Sequence, residues 1–89
     1  MDLGELTVFL TVAKEGSFSR AAERLYRTQP AISLGIRKLE DSLGQPLFVR
    51  GSRPVRLTDA GVLLKDYAER LLNLRDEVKK GLTDRKSVV

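Results

Sequence analysis

Residues 28–44 read TQPAISLGIRKLEDSLG, and the stretch carries a full set of end signals for one helix. Thr28 is placed to cap it, its hydroxyl accepting from a backbone N–H that the first turn leaves unpaired. Gln29 and Pro30 follow, where proline's missing N–H costs little. Gly44 stands where a left-handed cap is needed, and Pro46 blocks continuation. Ile32, Ile36, Leu39 and Leu43 recur at helical spacing, a stripe expected to be buried. Gln29, Pro30, Ser33, Leu34 and Arg37 fall off that stripe and are expected to point outward. An apolar back with a Gln, Ser and Arg front suits entry into a DNA major groove. It also suits an ordinary amphipathic surface helix, so the flanking sequence has to separate the two readings.

Charge is the first separator. The chain carries +4 at neutral pH over 89 residues. Residues 27–57 hold Arg27, Arg37, Lys38, Arg50, Arg53 and Arg56 against Glu40 and Asp41, which accounts for all of it. Residues 1–26 sum to −1 and residues 58–89 to +1. A solvated surface would spread its charge, whereas this concentration fits a phosphate-facing patch. The same map permits an acidic protein partner. With no Cys and no His, disulfides, zinc fingers, thiol chemistry and imidazole catalysis drop out. A phosphate-cradling glycine loop and paired carboxylates in an apolar setting are also missing, so an enzyme is not expected, nor a cofactor in this chain. No apolar run approaches the roughly 18–20 residues of a bilayer span. The lack of Cys fits a cytoplasmic protein.

Upstream, LGELTVFLTVAKE over residues 3–15 sets Leu3, Leu6, Phe9, Leu10 and Ala13 on one side of a first helix, which Gly16 ends. Ser17 or Ser19 is placed to cap a short second helix over residues 20–25, with Ala21, Ala22 and Leu25 packing inward. Tyr26 and Arg27 turn the chain into Thr28, which makes a helix-turn-helix without the usual turn glycine.

Downstream the period changes. Leu47-Phe48-Val49-Arg50 is β-prone, Gly51-Ser52-Arg53-Pro54 is turn-rich, and Val55-Arg56-Leu57 alternates. These predict a hairpin wing whose Leu47, Val55 and Leu57 serve the core. Arg50, Arg53 and Arg56 have no apolar role and are candidates for phosphate or minor-groove contact. Thr58 and Asp59 restart a helix that ends near Lys80, at Gly81, or near Arg85 if it passes through. To Lys80 it would span about 33 Å. Leu64, Tyr67, Leu71, Leu74 and Val78 form an apolar stripe along it, widened by Leu63, Ala68, Leu72 and Leu82. A domain this small cannot cover so long a stripe, which predicts a homodimer through this helix. Residues 83–89 are polar, lack periodicity and are expected to fray.

The order of these signals resembles the N-terminal winged helix-turn-helix of the LysR-type transcriptional regulators. The residues that carry the resemblance are Phe9 to Val12, Gly16-Ser17-Phe18, Ala21-Ala22, Leu25 and Thr28 to Ser33. Leu39-Glu40, Leu43-Gly44, Pro46-Leu47-Phe48, Arg50 and Leu57 to Gly61 continue it, so it covers residues 1 to about 85. The resemblance implies a mainly α fold: three helices and a two-stranded wing over residues 1–57, then a linker and dimerisation helix with a tail over residues 58–89. It implies DNA reading from the N-terminal turn of the third helix, here Thr28, Gln29, Pro30 and Ser33, with Leu34 beside them. Ser19, Arg27, Arg37, Arg50 and Arg53 would meet the backbone or minor groove. Linker helices of the family pair antiparallel, and the dimers read dyad-symmetric, AT-rich sites in the bacterial nucleoid. Full-length members often assemble into tetramers and add a C-terminal domain that binds a small-molecule effector; this chain stops before it. Many members carry Arg or Gln where Leu34 and Gly35 stand. Leu34 cannot donate to a base edge, although it can meet a thymine methyl.

Overall fold

A computed structural model describes residues 1–85 of the chain. Within it the elements run α1 (Leu3–Glu15), α2 (Phe18–Arg24), α3 (Gln29–Leu43), β1 (Phe48–Val49), β2 (Arg56–Leu57) and α4 (Asp59–Arg85). This is the expected mainly helical winged arrangement, with β1 and β2 forming an antiparallel two-stranded sheet. Among the described residues, no helix is long and apolar enough to cross a membrane.

Local chemistry explains each helix start. Asp2 and Glu5 form a reciprocal capping box at α1, each side chain accepting from the other's backbone N–H at 2.8 Å. Ser17 caps α2 by accepting from Arg20 N at 3.1 Å, which settles the choice between Ser17 and Ser19. Thr28 caps α3 as expected, accepting from Ala31 N at 3.3 Å. Gly16 and Gly44 end α1 and α3 with φ of 66° and 69°, a region where a Cβ is costly.

The core lies where α1, α2, α3 and the wing meet. Leu6, Phe9, Val12, Ala21, Ile32, Ile36, Leu39, Leu47 and Phe48 are buried in it. Phe48 is its aromatic hinge, with ring centroids 5.4 Å from Phe9 and 5.7 Å from Phe18. Two expected core residues are not there. Leu43 is 38% exposed and Leu3 36% exposed. Both sit in a terminal turn, where the helix runs past the layer it packs on. On α1, Val8 and Val12 are buried, while Leu10 and Ala13 are only partly so.

The turn between α2 and α3 solves the missing-glycine problem in a costly way. Tyr26 itself takes φ of 55°. Tyr26 N donates to Glu23 O at 3.2 Å and Arg27 N to Ala22 O at 2.9 Å. Gly44 and Gln45 make the same paired bonds at the end of α3, to Asp41 O at 3.3 Å and Glu40 O at 3.2 Å.

Among the described residues, the rod α4 is anchored along its first half. Thr58 Oγ1 accepts from Gly61 N at 3.1 Å and donates to Pro46 O at 2.6 Å. Ala68 is buried, and Ala60 and Leu64 pack partly against the core. Past this point Leu71, Leu74, Val78 and Leu82 are exposed. The helix passes through Gly81 to Arg85. The fraying expected over residues 83–89 is therefore corrected for residues 83–85, and residues 86–89 lie outside the described part.

Candidate nucleic-acid interface

The front of α3 and the inner side of the wing enclose one open cleft of about 820 Å³. The end of α1 closes one side with Glu15 and Gly16, and three further elements supply the polar side chains. From α2 come Ser19 and Arg20, from α3 Gln29, Ser33 and Arg37, and from the wing Arg50 and Arg53. The sequence nominated six of these seven. Arg20 was missed, although its place beside Ser19 at the start of α2 was a usable signal.

The remaining nominated residues sit outside the cleft. Thr28 is exposed, with its hydroxyl engaged as the helix cap. Pro30 and Leu34 are exposed on α3, and Arg27 is exposed just before it. Arg56, the third nominated wing arginine, is exposed on β2, and none of these five lines the cleft.

The wing is held firmly for so small a sheet. Phe48 pairs with Leu57 and Val49 with Arg56. Ser52 braces the tip, its hydroxyl donating to Val49 O at 3.2 Å and accepting from Arg56 N at 3.1 Å. Gly51 takes φ of 79° to close the turn, and the Arg53–Pro54 peptide is cis. On the returning side Val55 N donates to Gly16 O at 3.0 Å. On the outgoing side Glu40 Oε2 accepts from Leu47 N at 2.6 Å. The wing is thus tied to the end of α1 and to the flank of α3.

Electrostatics follow from which charges are already paired. Arg24 meets Glu15 at 3.2 Å, Lys65 meets Glu69 at 3.5 Å and Arg70 meets Asp66 at 2.9 Å. Arg37, Arg50 and Arg53 make no ion pair among the described residues. Both acids at the cleft wall are occupied elsewhere, Glu15 by Arg24 and Glu40 by the wing amides. What remains is a concave polar surface with uncommitted guanidinium groups, which matches a phosphate backbone better than a neutral partner. No cluster of metal-ligating side chains exists among the described residues.

Residues 3–62 match the family described as bacterial regulatory helix-turn-helix protein, lysR family. In sequence, the chain is 45% identical over 82 residues to a probable RuBisCO transcriptional regulator of Synechocystis sp., covering 92% of this chain and 24% of that protein. It is 46% identical over 84 residues to an uncharacterized HTH-type transcriptional regulator of Azotobacter vinelandii, covering 94% and 58%. The crystal structure of the BenM DNA-binding domain with catB site 1 DNA superposes with a TM-score of 0.90 at 40% identity, over 99% of this chain and 94% of that one. Full-length LysG from Corynebacterium glutamicum with bound effector Arg superposes with a TM-score of 0.92 at 30% identity, over 100% and 30%. The chain thus spans 24% of the length of the first of these curated relatives. With a family match over most of its length and a near-complete structural counterpart, the chain belongs to the lysR family of bacterial regulatory helix-turn-helix proteins.

Proposed function

We propose that this chain is the operator-recognition part of a bacterial transcriptional regulator and binds double-stranded DNA with α3 in the major groove. The observation that carries the reading is the convergence of Ser19, Gln29, Ser33, Arg37, Arg50 and Arg53 on one cleft. Thr28, Gln29, Pro30, Ser33 and Leu34 face base edges. Ser19, Arg27, Arg37, Arg50 and Arg53 hold the backbone or the minor groove.

In this reading residues 1–57 recognise DNA and residues 58–89 pair two copies. Tyr67, Leu71, Leu74 and Val78, exposed along α4, form the dimer face. Leu64 contributes at its inner end, where it also packs against the chain's own core. Two recognition helices set about 34–36 Å apart then read a dyad-symmetric site one helical turn long. Full-length LysG, a longer relative, is recorded with bound effector Arg, which supports effector binding by the whole protein. In the same reading the whole protein binds its small-molecule effector in a C-terminal domain, forms tetramers and acts in the cytoplasm at the nucleoid.

Binding titrations on a selected duplex and on scrambled DNA test the assignment. Gln29→Ala should cost about 1–3 kcal/mol on the selected duplex and relax its preference. Arg53→Ala should weaken both duplexes alike and reduce the salt slope by about 1. Equal losses from both substitutions on both duplexes would reject the roles. Weak, sequence-blind binding beside tight binding to an acidic protein would favour a protein partner instead.

A further inference from the structure

Helix α3 and the rod α4 are joined through the two polar backbone groups of one residue. Leu47 N donates to Glu40 Oε2 of α3 at 2.6 Å, and Leu47 O accepts from Thr58 N, just before α4, at 2.9 Å. Thr58 Oγ1 reinforces the junction, donating to Pro46 O at 2.6 Å and accepting from Gly61 N at 3.1 Å. We infer that Thr58 is a positioning residue that sets the angle between α4 and α3, so that the dimer discriminates the spacing of two half-sites without Thr58 touching DNA. The inference rests on the DNA binding and the pairing through α4 proposed above.

The junction has no slack. Only Thr58 separates β2 from α4. Leu47 is 1% exposed, so its N–H and C=O cannot turn to water instead. A side chain at Gly61 would collide with the carbonyl of Leu47, which places the first turn of α4 flush against that backbone.

Further along, α4 lies against α1, with Ala68 buried and Leu64 partly so. Apolar contact is non-directional and permits rocking, whereas hydrogen bonds prefer one direction. Held at both places, the rod has one orientation relative to α3. Released at Thr58, the headpiece can rock about Ala68. Thr58 is about 15 Å from Ala68 at 1.5 Å per residue, so ~10° of rocking moves that end of each headpiece by about 3 Å. Adding one base pair between half-sites moves them apart by about 3.4 Å and turns one by about 35°. A rigid junction therefore rejects the altered spacing, and a loosened one absorbs part of the error.

The test uses the 89-residue chain and a duplex it selects from a randomised library. Affinities are then measured on that duplex, on versions with one base pair inserted or removed between the half-sites, and on one half-site alone. Wild type should prefer the selected spacing by roughly 10-fold or more, since a misplaced half-site loses base contacts. Thr58→Val keeps the side-chain shape and removes the hydroxyl. It should cut the spacing preference by roughly 2- to 10-fold, the worth of a neutral hydrogen bond, and leave single half-site affinity unchanged. Gly61→Ala, which crowds the same junction, should also lower the preference, and Thr58→Ser should retain it. Asp2→Ala removes the cap of α1 and leaves the junction intact, so its spacing preference should equal that of wild type. An unchanged preference in Thr58→Val overturns the inference. So does an equal fall in Asp2→Ala, because lost stability rather than a freed angle would then be the cause. A wild-type dimer that selects a sequence but accepts all three spacings alike overturns this inference alone. A wild type that selects no duplex, or stays monomeric, overturns the underlying reading and this inference with it.

Discussion

Glu40 Oε2 accepts the backbone N–H of Leu47 at 2.6 Å, so a side chain of α3 fixes where the wing departs. The same oxygen stands 3.4 Å from Phe48 N. A charged acceptor in a part-buried site is worth about 1–3 kcal/mol. Glu40→Ala should lower unfolding stability by that amount in urea, and Glu40→Gln, which keeps an oxygen acceptor, by clearly less. An Ala variant as stable as wild type would show that the carboxylate contributes nothing here.

Tyr26 bears the cost of a left-handed backbone with nothing in return from its ring, which is 97% exposed. That conformation costs an L-residue about 1–2 kcal/mol, part of which glycine gives back in chain entropy. Tyr26→Gly should therefore raise the melting temperature by a few degrees. A lower melting temperature would mean that the aromatic ring supports the fold through contacts with solvent-facing neighbours.

Gly61 is required by space rather than by backbone angle. A methyl group there would run into the carbonyl of Leu47 and stand 2.9 Å from Leu57 Cδ2. Since the obstructing atom is backbone, α4 would have to move off the wing. Gly61→Ala should cost about 1–3 kcal/mol, the range for overpacking a tight site. Gly35 and Gly81 meet nothing within 4 Å, so alanine should be accepted at both. Indeed, each alanine should stabilise its helix by up to about 1 kcal/mol. Equal responses at all three positions would defeat the spatial argument.

Leu71 lies at the middle of the exposed stripe on α4, between Tyr67 and Leu74. Arg70 sits over the Tyr67 ring at 4.4 Å, bordering the apolar strip with charge. Leu71→Asp should convert a dimer to a monomer in sedimentation while leaving the melting of the headpiece nearly unchanged. A mass that does not change refutes the pairing face.

Much of this was legible beforehand because the deciding signals are local. Thr28, Gly44 and Gly16 announce helix ends through their own hydrogen-bonding and backbone preferences, and the wing's turn residues do the same. What stayed hidden depends on distant segments meeting. In the sequence Glu40 counted as a negative charge and as part of the family pattern, and neither showed that its oxygen belongs to the wing. Phe48 looked like one residue of a β-prone run and proves to be the ring on which Phe9 and Phe18 close. Leu43 fits the apolar period but lies beyond the layer that the stripe covers, and periodicity carries no information about where a neighbour stops. Gly81 resembles a helix stop, but a lone glycine only weakens a helix; α4 runs on to Arg85, and the Thr83 hydroxyl donates back to Lys79 O at 2.9 Å.

The moorings of the wing at Gly16 and Glu40 bear on how it meets a partner. Because both flanks are fastened before any encounter, little conformational freedom is left to lose when the arginines settle. Amide hydrogen exchange should make this visible: Leu47 and Val55 should exchange slowly, while Gly51 and Arg53 at the turn exchange fast, in the free chain and the bound one alike.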